Sequence, residues 1–119
     1  MPTRFMSNVA CKATVVHCMD FRIQKTVGEL LKTIDIHEGD FDRVSIAGGA
    51  ANAEQLKKHI GLSSALHSPQ VFILTIHEDC GAGAKEGDLR NARNLIQSSY
   101  PECQIRTFII KLDGTWEEK

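Results

Sequence analysis

An α/β fold built on a mostly parallel sheet of about four strands is what this sequence predicts, and three observations carry the prediction. Short β-branched apolar runs alternate with stretches of helical period, and glycine- or proline-containing loops separate them. Two of the runs end abruptly in side chains that carry chemistry, one in Cys18 and the other in His77. Strands alternating with helices of about ten residues imply βαβ units, parallel pairing and right-handed crossovers.

Residues 1–11 carry little pattern and read as an extended or short helical arm. Lys12 to Met19, with Ala-Thr-Val-Val inside it, suits a first strand. From Gln24 the period changes: Val27, Leu30, Leu31 and Ile34 fall at i, i+3, i+4 and i+7, one face of a helix. His37-Glu38-Gly39-Asp40 is a polar loop, and Phe41 to Ala47 is a second strand running into Gly48-Gly49. The next helix places Ala53, Leu56 and Ile60 on its apolar face, with Gly61 as its stop and Ser63 to His67 as a separate short turn before Pro69. The third strand is 71–77. Beyond Gly81-Ala82-Gly83, Asp88 caps a helix whose Leu89, Ala92, Leu95 and Ile96 face inward. Tyr100-Pro101 closes that helix, Gln104 to Leu112 is a fourth strand, and 113–119 is a polar tail around one tryptophan.

A chain of 119 residues has room for one core, so we expect a single domain over 1–119. Hydrophobic content of 42% with 24% charged residues argues against a disordered chain. No apolar run is long enough for a membrane span, and the N-terminus lacks a signal-peptide pattern. A net charge of −1 leaves no electrostatic footprint for nucleic acid. The expected setting is cytoplasmic and reducing, where cysteines serve as metal ligands, catalytic groups or buried filler. On that reading Cys18 and Cys80 are ligands, while Cys11 and Cys103, beside apolar runs, are small core or surface residues.

The chemistry gathers at two strand ends, His17-Cys18-Met19-Asp20-Phe21-Arg22 and His77-Glu78-Asp79-Cys80-Gly81. Cys18, His77 and Cys80 are the expected ligands of one zinc ion, because zinc takes thiolate sulfur and imidazole nitrogen in a tetrahedron. One close pair and a lone distant cysteine differ from the two close pairs of a zinc ribbon, which favours a site built across the fold. Strands 1 and 3 must then be neighbours, and the strand order becomes 2-1-3-4. That places the site at the switch point where open α/β sheets bind ligands. Asp20 has two possible roles: fourth zinc ligand, or partner of Arg22 that orients a metal-bound water. Gly48-Gly49 reads as a tight turn beside the metal. Asp79 either orients a ligand or caps the next helix. His17, in strand geometry, points away from Cys18 and reads as a packing or interface residue; His37, His59 and His67 receive no role.

Cys18-Met19-Asp20-Phe21-Arg22 with His77-Glu78-Asp79-Cys80-Gly81 resembles the two signature motifs of β-class carbonic anhydrases, and Ala47-Gly48-Gly49 resembles that family's intervening turn. The resemblance runs in the same order from about residue 12 to 112. It implies a Rossmann-like three-layer arrangement, an obligate dimer, and reversible hydration of carbon dioxide to bicarbonate by zinc hydroxide. Cys18, His77 and Cys80 would be the zinc ligands and Asp20–Arg22 the catalytic dyad, with Asp20 as fourth ligand in a closed state. Ser45-Ile46 stand where the family commonly has Arg-Asn, and Phe21 where a small residue is common.

Three other readings compete: hydrolysis of carbonyl sulfide or carbon disulfide on the same site, zinc binding without turnover, and a Cys18–Cys80 redox pair. A sheet of four strands with about three helices leaves faces and edges uncovered, so the expected assembly is a homodimer or a higher even oligomer.

Overall fold

Two strands buried along their whole length, β1 (Ala13–Cys18) and β3 (Val71–His77), form the middle of the sheet. A strand paired on both edges and covered on both faces has no side for polar residues, so each reads as a nearly continuous apolar run. In the computed structural model, which describes residues 9–119, these two strands pair parallel with each other. The parallel strand β2 (Phe41–Ile46) lies on the outer edge of β1, and β4 (Gln104–Ile110) lies parallel on the outer edge of β3. The expected order 2-1-3-4 therefore holds for the first four strands. The expected arm at residues 1–11 falls largely on 1–8, outside the described residues.

A fifth strand corrects the count. The segment read as a polar tail contributes β5 (Trp116–Glu118), antiparallel to β4 with Ile110 opposite Trp116 and Phe108 opposite Glu118. The sheet order is thus β2-β1-β3-β4-β5. The turn between β4 and β5 is held by Lys111 N–H donating to Thr115 O at 2.8 Å and by Asp113 Oδ1 accepting from Thr115 N and Oγ1. Gly114, at φ +93°, supplies the left-handed residue. Short, charged and on the edge, β5 has the composition of a strand that discourages further pairing.

Helix α1 (Gln24–Thr33) covers one face, burying Val27, Leu30 and Leu31 against Ala13, Val15, Ile73 and Phe108. Each such fully buried side chain contributes roughly 1.5–3 kcal/mol. Helices α2 (Ala53–His67) and α3 (Glu86–Ser99) cover the other, with Leu56, Ile60, Leu89 and Ile96 against Val16, Phe72 and Leu74.

Two helix boundaries differ from the sequence expectation. Gly61 does not stop α2: the helix continues to His67 and ends at Ser68 in the left-handed conformation, φ +43°. The continuation is held because Ser63 is buried and its Oγ donates to Asp42 Oδ2 at 2.6 Å while also bonding Thr14 Oγ1. Asp88 lies in the first turn of α3 instead of at its cap, where Oδ2 accepts from Lys85 N–H at 2.9 Å.

Candidate metal centre

Parallel strands β1 and β3 end at the same edge of the sheet, and their last residues are Cys18 and His77. Cys80 follows in the loop, brought back by Asp79 at φ +54°. One ligand atom from each of Cys18, His77 and Cys80 lies within 4.8 Å of the other two. The structure thus brings together the three side chains that the sequence singled out from far apart.

The His77 ring supplies the test of whether these residues fit a metal. The ring is buried, and its Nδ1 lies 2.8 Å from Glu78 O. Only a protonated Nδ1 can donate to that carbonyl, which leaves a lone pair on Nε2. Nε2 is buried without a hydrogen-bond partner, the one such side-chain atom among the described residues. An unpaired buried nitrogen costs about 1–3 kcal/mol, and a cation at this point removes that cost. Two thiols and a correctly oriented imidazole are a donor set that suits zinc.

Asp20 and Arg22 flank the cluster. Asp20 starts a 3₁₀ turn (Phe21–Ile23), its Oδ1 accepting from Arg22 N–H at 2.9 Å. The Arg22 guanidinium then donates to both carboxylate oxygens, from Nε at 3.1 and 3.2 Å and from Nη2 to Oδ2 at 2.7 Å. These bonds hold the Asp20 carboxyl down at about 2, well below the usual carboxylate range, and raise Arg22. Asp20 Oδ2 lies 3.8 Å from His77 Nε2, so the carboxylate faces the cluster while remaining bound to Arg22. Arg22 also donates to Asp79, from Nη1 to Oδ2 at 3.1 Å and from Nη2 to the carbonyl at 3.0 Å. One guanidinium therefore ties the loop after β1 to the loop after β3. Asp79 does not cap α3; its left-handed backbone and its bond to Arg22 place it in this clasp.

The glycine pair sits where the sequence placed it, at the end of β2 and beside the cluster. Gly48, at φ +84°, directs its N–H toward Cys18 Sγ at 3.4 Å. Gly49, at φ +54°, has no room for a side chain: a Cβ there would lie 2.6 Å from Thr75 O and 3.0 Å from Cys18 N. The two glycines let the β2 turn lie directly on the backbones of the strands that end in Cys18 and His77.

Gln24 was not singled out from sequence. Its Nε2 donates to Cys18 O at 3.1 Å and to Asp20 O at 2.7 Å, fixing the path from β1 into the Asp20 turn. Its place as the first residue of α1 was the only available signal. Among the described residues His17 belongs to no cluster of potential metal ligands. It is fully buried, with Nδ1 2.9 Å from Cys18 O and Nε2 accepting from Arg43 Nη1 at 2.9 Å. Burial and the neighbouring Arg43 push its pKa down. Beyond the ligands, an open cleft is lined by Met19, Asp20, Phe21, Arg22, Ala47, Gly81 and Ala82. Phe21 stands 86% exposed at its mouth.

Residues 8–118 match the family model described as "Putative carbonic anhydrase". An uncharacterized protein of Rickettsia bellii (strain RML369-C) is 26% identical over 87% of this chain and 79% of its own. Among solved structures, a carbonic anhydrase from Glaciozyma antarctica superimposes with a TM-score of 0.68 at 18% identity, over 95% of this chain and 85% of that one. A carbon disulfide hydrolase in its apo form gives a TM-score of 0.63 at 12% identity, over 88% of this chain and 77% of that one. At such identities the two superpositions speak for the fold.

Proposed function

The chain belongs to the putative carbonic anhydrase family, and on that premise we propose that it hydrates carbon dioxide reversibly at a zinc held by Cys18, His77 and Cys80. The observation that carries the proposal is the buried, unpartnered Nε2 of His77, facing two cysteines with its tautomer fixed by the Glu78 carbonyl. Zinc held there would supply a Lewis acid that lowers the pKa of water toward neutrality.

The surrounding residues do the rest. Asp20, kept ionised by Arg22, accepts a hydrogen bond from the attacking water and orients it. Because both of its oxygens receive Arg22 N–H groups, the arrangement favours the open state over one in which Asp20 closes the metal's fourth place. Met19, Phe21, Ala47 and Ala82 give the cleft apolar walls suited to a small uncharged substrate. A symmetric homodimer would cover the exposed Phe21 and Met19 at its rim. Among the described residues no helix is long and apolar enough to cross a membrane.

The test is stopped-flow carbon dioxide hydration across pH on protein of known zinc content, with Cys80→Ser as control. The expected rate rises with pH, scales with zinc content and vanishes in the control. One tightly held zinc with no hydration at any pH would assign the site to a non-catalytic role. The carbon disulfide hydrolase of like fold supports a second reading, turnover of carbon disulfide or carbonyl sulfide, which the same assay with those gases separates.

A further inference from the structure

At the other end of β1, before the strand begins, lies a second cluster that the proposed reaction does not use. Cys11, Asp42 and His67 each place a potential ligand atom within 4.8 Å of the other two, as Cys18, His77 and Cys80 also do. The three come from different elements: Cys11 from the lead into β1, Asp42 from the start of β2 and His67 from the last residue of α2. At about 3.3 Å per strand residue the two clusters are roughly 20 Å apart.

Several independent features hold this cluster in shape. Cys11 N–H donates to His67 O at 3.0 Å, and Lys12 N–H to Asp40 O at 2.9 Å, so the backbones carrying the ligands are already joined. Asp42 Oδ2 accepts from Ser63 Oγ at 2.6 Å and lies 2.7 Å from His67 Nδ1. The side chains of His67 and Asp42 are 32% and 30% exposed, which leaves a cation a route in.

The local charge also favours a cation. Asp42 makes no ion pair with lysine or arginine among the described residues; Lys12, next to Cys11, directs its ammonium to Asp35 instead. The C-terminus of α2 adds the negative end of its helix dipole.

We propose that Cys11, Asp42 and His67 form a second cation site, for zinc, that clamps the C-terminus of α2 to the starts of β1 and β2. One sulfur, one nitrogen and one oxygen suit a borderline ion such as zinc better than magnesium or calcium. Tetrahedral ligands sit roughly 3.5 Å apart, so small side-chain rotations complete the site, with water in the fourth place. Two ionised ligands neutralise the ion. A Cys-His-Asp nucleophile is the other reading of these residue types. It is disfavoured because Cys11 Sγ donates to Ala13 O at 3.3 Å and not to the His67 ring, whose Nδ1 pairs with Asp42.

The experiment counts metal on the full chain, stripped with a chelator and dialysed against buffered free zinc. Wild type is expected to hold two equivalents, Cys11→Ala and His67→Ala one, and Cys80→Ser one. The Cys11→Ala/Cys80→Ser double variant is expected to hold none. A wild type that stops at one equivalent, lost in Cys80→Ser, overturns the second site and leaves the first standing. An equivalent that survives Cys80→Ser and is lost in Cys11→Ala upholds the second site whatever becomes of the first. The second measurement needs no variant: alkylation of Cys11 by N-ethylmaleimide, mapped by peptide mass, should slow by at least about tenfold with zinc. An unchanged rate overturns the proposal.

Discussion

Replacing Gly49 by alanine tests whether the two strand ends are held in place by the glycine turn. The alanine Cβ would sit 2.6 Å from Thr75 O, 3.0 Å from Cys18 N and 3.2 Å from His17 C, all backbone atoms that no side-chain rotation can move aside. The residue would also be left at φ +54°. The left-handed conformation costs about 1–2 kcal/mol, and overpacking against fixed neighbours costs about 1–3 kcal/mol more. The sum is about 2–5 kcal/mol, or a fall in Tm of about 8–20 °C at about 4 °C per kcal/mol. Gly48→Ala is the control. Its φ of +84° carries a similar backbone cost, but its Cβ would meet nothing nearer than the Ala82 Cβ at 3.5 Å, an ordinary contact. Gly48→Ala is therefore expected to lose about 1–2 kcal/mol. Because the displaced backbones belong to β1 and β3 near Cys18 and His77, the proposed zinc site predicts that Gly49→Ala also weakens zinc affinity more than Gly48→Ala does. Thermal melts with zinc competition against a chromophoric chelator read both. Equal melts and equal affinities for the two variants would refute the reasoning.

Two further outcomes follow from the same structure. Arg22→Ala should raise the Asp20 carboxyl from about 2 toward the ordinary value of about 3.9, read by carboxyl NMR titration. A folded-state pKa below the unfolded one stabilises above the unfolded value and loses that contribution as pH falls through the folded value. The stability gap between wild type and Arg22→Ala should therefore be full above about pH 4 and close toward pH 2; a gap that widens in acid would contradict it. In β5, Trp116 packs half-buried on the α1-side core, while Glu118 pairs with Arg106 at 2.8 Å in largely exposed surroundings. Trp116→Ala should cost about 1–3 kcal/mol by urea denaturation, and Glu118→Gln less than about 1 kcal/mol. The reverse ranking would mean that the edge strand is held by charge.

The central strands were legible because burial on both faces leaves an apolar run in the sequence, and the candidate ligands Cys18 and His77 stand at the ends of those runs. β5 was missed for an equally physical reason. Three residues, two of them glutamate, carry no periodicity, and the Asp113-Gly114 pair, a hairpin signal, was the one local cue. Gln24 escaped because its role is to bond two carbonyls, and amide side chains at helix starts carry no chemical signature by themselves.

Gly61 shows how one local reading conceals another cluster. A glycine after Ile60 is a reasonable helix stop by propensity, costing about 1 kcal/mol inside a helix. Here Tyr100 packs against that position, its hydroxyl 3.8 Å from where a Cβ would stand. Ser63, beyond the glycine, anchors the continued helix to Thr14 and Asp42. Only that continuation carries His67 to Asp42 and Cys11. The first cluster needs just the adjacency of two strands that each announce a ligand at their ends. The second needs the length of α2, the register that sets Ala13 opposite Phe41 and the backbone bond from Cys11 to His67. No single stretch of the chain records those facts. A site assembled from the flanks of elements is visible only once the packing that overrides local propensity is known.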